Sequence, residues 1–305
     1  MAYKYIWEDP RTFKINKEDG HTFTMPFDSI EQAMSGEESQ YKQSLNGQWK
    51  FYWQRGMENQ PSDFQSPNFD DSKWGEIKVP SVWQTEGYSV PYYYASTFPR
   101  ALSRVKSQIP KIDSTMQEIG FYRRSFTLPE AWDGREIFLT FSACKAALEV
   151  WVNGEYVGFS TGSMTPHEFD VTKYLKSGEN LVCAKVYRFA ATSYLEDQDM
   201  WWLCGIYREV FLYAEPKTCL RDFYVKTDLD EEYKDSELSL DGYIKNYNSE
   251  KKTVRFQASI LSDTGKETPI GEGETEIAPG ETAAIKLSQF IKNPKKWSAE
   301  QPNLY

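Results

Sequence analysis

The chain has 305 residues, a formal charge of −10, 16 % aromatic residues and only 2 histidines. Its length exceeds one ordinary small domain and accommodates two, each with its own core. The negative charge argues against nucleic acid or an anionic membrane as partner, because both require clustered Lys and Arg. No stretch approaches the roughly 18 consecutive apolar residues that cross a bilayer, and Met1 to Phe13 has no apolar signal core, so a soluble, cytoplasmic protein is expected. Cys144, Cys183, Cys204 and Cys219 lie far apart without C-x-x-C spacing and read as buried free thiols, as suits a reducing compartment. The 10 Trp and 20 Tyr sit in short apolar runs. Flat and β-branched side chains suit a pleated surface, so a mainly β protein is expected.

Residues 1–44 are polar and irregular, with Pro10, Gly20 and Pro26, and with one possible helical turn from Ser29 to Met34. They read as an arm that packs on something else. From Leu45 the character changes, and Gln48 to Trp53 alternates polar and aromatic like a half-buried strand. Further strands are predicted at Phe121 to Leu128, Ile137 to Phe141 and Ala147 to Phe159. The last is broken by Asn153-Gly154, the pair that most readily takes positive φ at both centres of a type I′ turn, so a tight hairpin is predicted there. Phe169 to Leu175 reads as a turn or short helix, Leu181 to Phe189 as a central strand, and Ile206 to Tyr213 as the closing strand. Short strands without helical spacing between them imply a two-sheet jelly roll over residues 45–215.

After Glu215-Pro216 the alternation is more regular. Phe223 to Leu229, Leu238 to Ile244, Val254 to Ile260 and Ala283 to Leu287 each bury one face, and Thr268 to Ile277 is a weaker run. These make five strands where an immunoglobulin-like sandwich has about seven. Residues 216–305 are therefore expected to form an incomplete sandwich, truncated at its end, with an exposed edge or apolar face near Ile285 to Trp297. The fold class is all-β: a galactose-binding-like jelly-roll sandwich followed by an incomplete immunoglobulin-like one.

Few residues offer chemistry. His21 and His167 are far apart with no carboxylate at metal-ligand spacing, and no glycine pattern suits a nucleotide. His167 reads as a loop residue at the surface or in packing. The densest polar cluster is Glu196-Asp197-Gln198-Asp199, next to Trp201-Trp202 and directly after a buried strand. Adjacent carboxylates repel unless a cation, backbone donors or sugar hydroxyls satisfy them. The plain reading is a solvated acidic loop, and the tryptophan pair favours a binding loop.

Five segments together carry a resemblance: Leu45-Asn46-Gly47-Gln48-Trp49-Lys50-Phe51, Val79-Pro80-Ser81-Val82-Trp83-Gln84, Val152-Asn153-Gly154-Glu155-Tyr156-Val157-Gly158, Tyr194-Leu195-Glu196-Asp197-Gln198-Asp199-Met200-Trp201 and Gly205-Ile206-Tyr207-Arg208-Glu209-Val210. They resemble the N-terminal part of bacterial β-galactosidases of glycoside hydrolase family 2. Trp7-Glu8-Asp9-Pro10 resembles the start of those enzymes, and Asn293 to Glu300 the end of their second domain.

The resemblance implies a five-domain enzyme that hydrolyses β-galactosides with retention, using two glutamates about 5 Å apart in a (β/α)8 barrel. A barrel needs about 250 residues, and the strand-patterned residues after 215 leave no room for one, so this chain contains no catalytic residue and should be inactive alone. By the same resemblance Asp199 contacts galactose hydroxyls and helps hold sodium, Trp201 lies in the substrate site, and sodium and magnesium are cofactors of the full-length enzyme. The family's second contribution is an asparagine where this sequence has Ala95, with Tyr94 and Ser96 as neighbouring hydroxyls that could stand in; Val82 replaces another asparagine before Trp83. The implied partners are galactose or a β-galactoside, the remaining domains of the enzyme and further copies of it, with the arm as an assembly element. An autonomous carbohydrate-binding module without activity and a purely structural docking unit are the alternatives.

Overall fold

A computed structural model describes residues 3–95, 98 and 108–305. The chain divides into two compact units: residues up to Asp19 with Phe27–Ala214, and Gly20–Pro26 with Glu215–Tyr305. Among the described residues no helix is long and apolar enough to cross a membrane.

The first unit contains strands β1 (Lys14–Ile15), β2 (Lys42–Ser44), β3 (Gly47–Arg55), β4 (Gly75–Val79), β5 (Tyr93–Tyr94) and β6 (Glu118–Thr127). They are followed by β7 (Glu136–Phe141), β8 (Ala147–Val152), β9 (Glu155–Thr161), β10 (His167–Asp170), β11 (Glu179–Tyr187), β12 (Met200–Trp201) and β13 (Val210–Glu215). A large sheet runs β1-β9-β8-β11-β6-β3-β4 and a smaller one β10-β7-β13-β2. This is the jelly-roll sandwich. β8 and β9 join through Asn153 and Gly154 at φ 52° and 92°, the type I′ geometry that the Asn-Gly pair predicts.

The large sheet is covered on both faces. Trp49, Phe51, Tyr122, Val150, Val182 and Ala184 pack toward the smaller sheet. Alternate residues of the same strands, among them Phe121, Phe159, Cys183 and Tyr187, pack on the other side against Trp7, Phe64 and Trp202. Burial on both faces is why β11 reads as a nearly unbroken apolar run. Gly120 of β6 has no room for a side chain, since a Cβ would lie 2.5 Å from the Trp83 ring. All four cysteines are free and buried.

The arm is less irregular than its sequence suggests. Trp7 is 1 % exposed and β1 pairs with β9, so the first turn of the arm closes the second core. Ser29 caps the short helix α1 (Ile30–Met34), and β2 pairs with β13. His167 also differs from its loop reading: it lies in β10 opposite Phe141 and is completely buried, with Ser160 Oγ 2.6 Å from its Nδ1. Burial pushes its pKa down to about 3. The folded value lies below the usual 6.5, so stability is full above pH 6.5 and declines as the unfolded chain takes up the proton in acid. The His167→Phe variant should lose about 2–3 kcal/mol less than wild type between pH 7 and pH 4.5 in urea titrations; identical losses would contradict the assignment.

The second unit consists of β14 (Thr218–Leu229), β15 (Ser236–Asn246), β16 (Lys252–Leu261), β17 (Glu267–Ile277) and β18 (Thr282–Ile291), arranged as sheets β14-β15-β18 and β16-β17. It is an immunoglobulin-like sandwich of five strands around Ile244, Ile277 and Ile285. β18 pairs only with β15 among the described residues, and Phe290 and Trp297 near it are 62 % and 64 % exposed, as the strand count anticipates. Residues 20–26 lie along β14, where Thr22 donates its backbone N–H to Asp222 Oδ1 (2.7 Å) and its hydroxyl to the Phe223 carbonyl (2.8 Å).

Candidate sugar-facing site

The acidic string resolves into three separate environments. Ser193–Glu196 form the short helix α2, which ends at Asp197. Glu196 turns to the Gly162–Thr165 turn and accepts from the backbone N–H and hydroxyl of buried Ser163 at 2.8 and 2.7 Å. Asp197 turns inward and is completely buried, in an ion pair with the Lys145 ammonium, itself nearly buried. Burial pushes the Asp197 carboxyl up, and Lys145 opposes that push. The repulsion expected of neighbouring carboxylates is thus relieved by sending each to a different partner.

Asp199 is the one that faces out. Its φ of 48° places it in the left-handed region, which Asp tolerates because its short polar side chain can bond locally. It leads into β12, which pairs with β5 through Met200↔Tyr94 and Trp201↔Tyr93. Asp199 and Ala95 flank the ladder at the same end. Strand side chains alternate, so Tyr93 and Trp201 share one face, while Tyr94 and Met200 share the other.

The contacts agree with that alternation. The Tyr93 hydroxyl donates to Asp199 Oδ1 at 2.5 Å, and its ring lies 5.5 Å from that of Trp201. This bond to the carboxylate pushes the Tyr93 phenol up. Trp201 is 56 % and Tyr93 49 % exposed, and Asp199 and Ala95 are exposed as well. Trp202 is 1 % exposed, and its Nε1 donates to the Asp197 carbonyl at 2.9 Å.

Of the sequence-predicted residues, Asp199 and Trp201 both meet Tyr93, and Ala95 directly follows β5. Tyr93 is a further member of the face that no sequence pattern singles out. Of the hydroxyls considered as stand-ins at Ala95, Tyr94 has its ring 5.2 Å from that of Trp202 and is itself exposed, and Ser96 lies outside the described residues. Among the described residues no group of three or more His, Cys, Asp or Glu is placed to hold a metal. On this face Asp199 offers a hard cation one exposed carboxylate, which fits a single ligand and not a complete site.

Comparison with known proteins agrees with the two sandwiches. The sugar-binding domain of glycosyl hydrolases family 2 matches residues 42–216, and a second model of glycosyl hydrolases family 2 matches residues 218–305. The chain belongs to glycosyl hydrolase family 2. Within that family it matches the N-terminal part of bacterial enzymes. It is 36 % identical over 300 residues to a β-galactosidase of Priestia megaterium, covering 97 % of this chain and 29 % of that protein. A β-galactosidase of Photobacterium profundum is 35 % identical over 302 residues, with 98 % and 28 % covered. A solved structure of a calcium-binding mutant of Bacteroides uniformis β-glucuronidase 2 superposes with a TM-score of 0.70 at 26 % identity, covering 87 % of this chain and 29 % of that one. The chain thus spans less than a third of the length of these relatives.

Proposed function

We propose that this chain supplies one wall of the sugar site of a retaining β-galactosidase whose two catalytic glutamates reside in a barrel domain. The observation that carries the reading is the single exposed face formed by Tyr93, Asp199 and Trp201. Aromatic faces pack on the apolar C–H side of a pyranose, and a carboxylate accepts from its hydroxyls. Retaining hydrolysis needs two carboxyl groups about 5 Å apart on either side of the glycosidic bond. The neighbours of Asp199 do not supply the partner, because Glu196 and Asp197 are committed to Ser163 and Lys145. Asp199 also suits a sodium ion as one oxygen ligand beside those of another domain.

A lone wall leaves most sugar hydroxyls in water, so the isolated chain should show no galactoside binding at micromolar concentrations. In the complete enzyme, Asp199→Asn should lower kcat/KM for a β-galactoside by about 10- to 100-fold, the loss of a charged hydrogen-bond acceptor. An unchanged kcat/KM would refute the assignment. The exposure of Trp201 and Tyr93 is also what an autonomous carbohydrate-binding module would present. Micromolar binding by the isolated chain, abolished by Asp199→Asn, would favour that module.

A further inference from the structure

We infer that Arg188 is a positioning residue for this face, a clamp that fixes the spacing between the segment bearing Tyr93 and Ala95 and the segment bearing Asp199 and Trp201. β5 and β12 are two residues each, too short to hold their own register. Arg188 follows β11 and is 1 % exposed. Its Nη2 donates to the carbonyls of Val90 (2.8 Å) and Trp202 (3.0 Å), one on each segment. Its Nη1 bonds Glu118 Oε2 at 2.9 Å and the Ser89 hydroxyl, and the guanidinium lies 4.7 Å from the Tyr92 ring centroid. Glu118 neutralises the buried charge, which frees the planar fork for geometry. A backbone bond from Trp202 N to the Tyr92 carbonyl, 2.8 Å, completes the junction just beside the clamp.

The geometry stands by itself, and its functional meaning rests on the sugar-wall reading. Lysine keeps the charge beside Glu118 but cannot reproduce the fork that reaches both carbonyls. The test uses the full chain labelled with 13Cζ-tyrosine, the Tyr93 resonance being identified by its loss in Tyr93→Phe. At pH 7 the Tyr93 resonance of Arg188→Lys should move to the position seen in Asp199→Asn, where the hydrogen bond to the carboxylate is lost, while circular dichroism and the buried tyrosines stay unchanged. A purely structural arginine would not move that one resonance. In the complete enzyme Arg188→Lys should lower kcat/KM for a β-galactoside about tenfold, and should add no further loss to that of Asp199→Asn.

A folded Arg188→Lys with an unchanged Tyr93 resonance overturns the clamp. So does failure to fold of both Arg188→Lys and the double variant Arg188→Met/Glu118→Leu, because the residue would then be holding the sandwich and not the face. A moved Tyr93 resonance with unchanged kcat/KM upholds the clamp and refutes the sugar-wall reading.

Discussion

Replacing Lys145 by methionine is expected to destabilise the first unit by about 3–5 kcal/mol at pH 7, the usual cost of stranding one member of a buried ion pair. The partner left behind is Asp197, whose side chain is completely buried. Burial already pushes that carboxyl up, and Lys145 is the main opposing influence. Without the ammonium only the weaker hydrogen bond from Ser193 opposes the upward push. A carboxyl whose folded value lies above its unfolded value contributes stability below the unfolded value and loses it as pH rises through the folded one. The deficit of Lys145→Met should therefore be greatest at neutral pH and shrink toward pH 4. Urea titrations at several pH values measure this directly. Lys145→Met/Asp197→Leu should recover most of the loss, because an apolar replacement of both partners removes the stranded charge. A deficit independent of pH, or none at all, would show that the pair is not what holds the loop in place.

The adjacent tryptophans should respond in opposite ways. Trp202→Ala is expected to cost about 3–5 kcal/mol, the range for emptying a large aromatic site in a core. Its ring packs beside Tyr94 and Phe189, and its indole N–H caps the Asp197 carbonyl. Trp201→Ala should change stability by less than about 0.5 kcal/mol, since the side chain is more than half exposed. Its effect belongs to function: in the complete enzyme it should raise KM for a β-galactoside while leaving the unfolding midpoint in place. Equal stability losses for the two would mean that the alternation across β12 is misassigned.

Local patterns made much of this fold legible. Asn153-Gly154 announces its hairpin because the turn geometry depends on those two residues, and the five strands of the second unit follow from regular alternation. Distant partners were harder to see. Nothing near Asp197 indicates that Lys145 will reach it, nor does anything near Glu196 point to Ser163, so the sequence alone does not say which carboxylate faces outward. The β5–β12 ladder leaves no trace in the sequence, because Pro91 to Tyr94 is an aromatic run without polar alternation and two-residue strands carry no period. Trp7 was read as part of a polar arm since one tryptophan among charged neighbours looks like a tail. Its burial depends on the second face of the large sheet needing cover.

The division of labour in the acidic string has a consequence for how the site can change. Glu196 and Asp197 are bound to the scaffold, whereas Asp199 contacts only Tyr93 among the described side chains. The first two preserve the shape of the loop whatever the third becomes. Ligand preference can therefore drift or be engineered at Asp199, Tyr93 and Ala95 while the frame beneath stays fixed, and a protein that retains only the first two carboxylates will present the same surface with a different chemical tip.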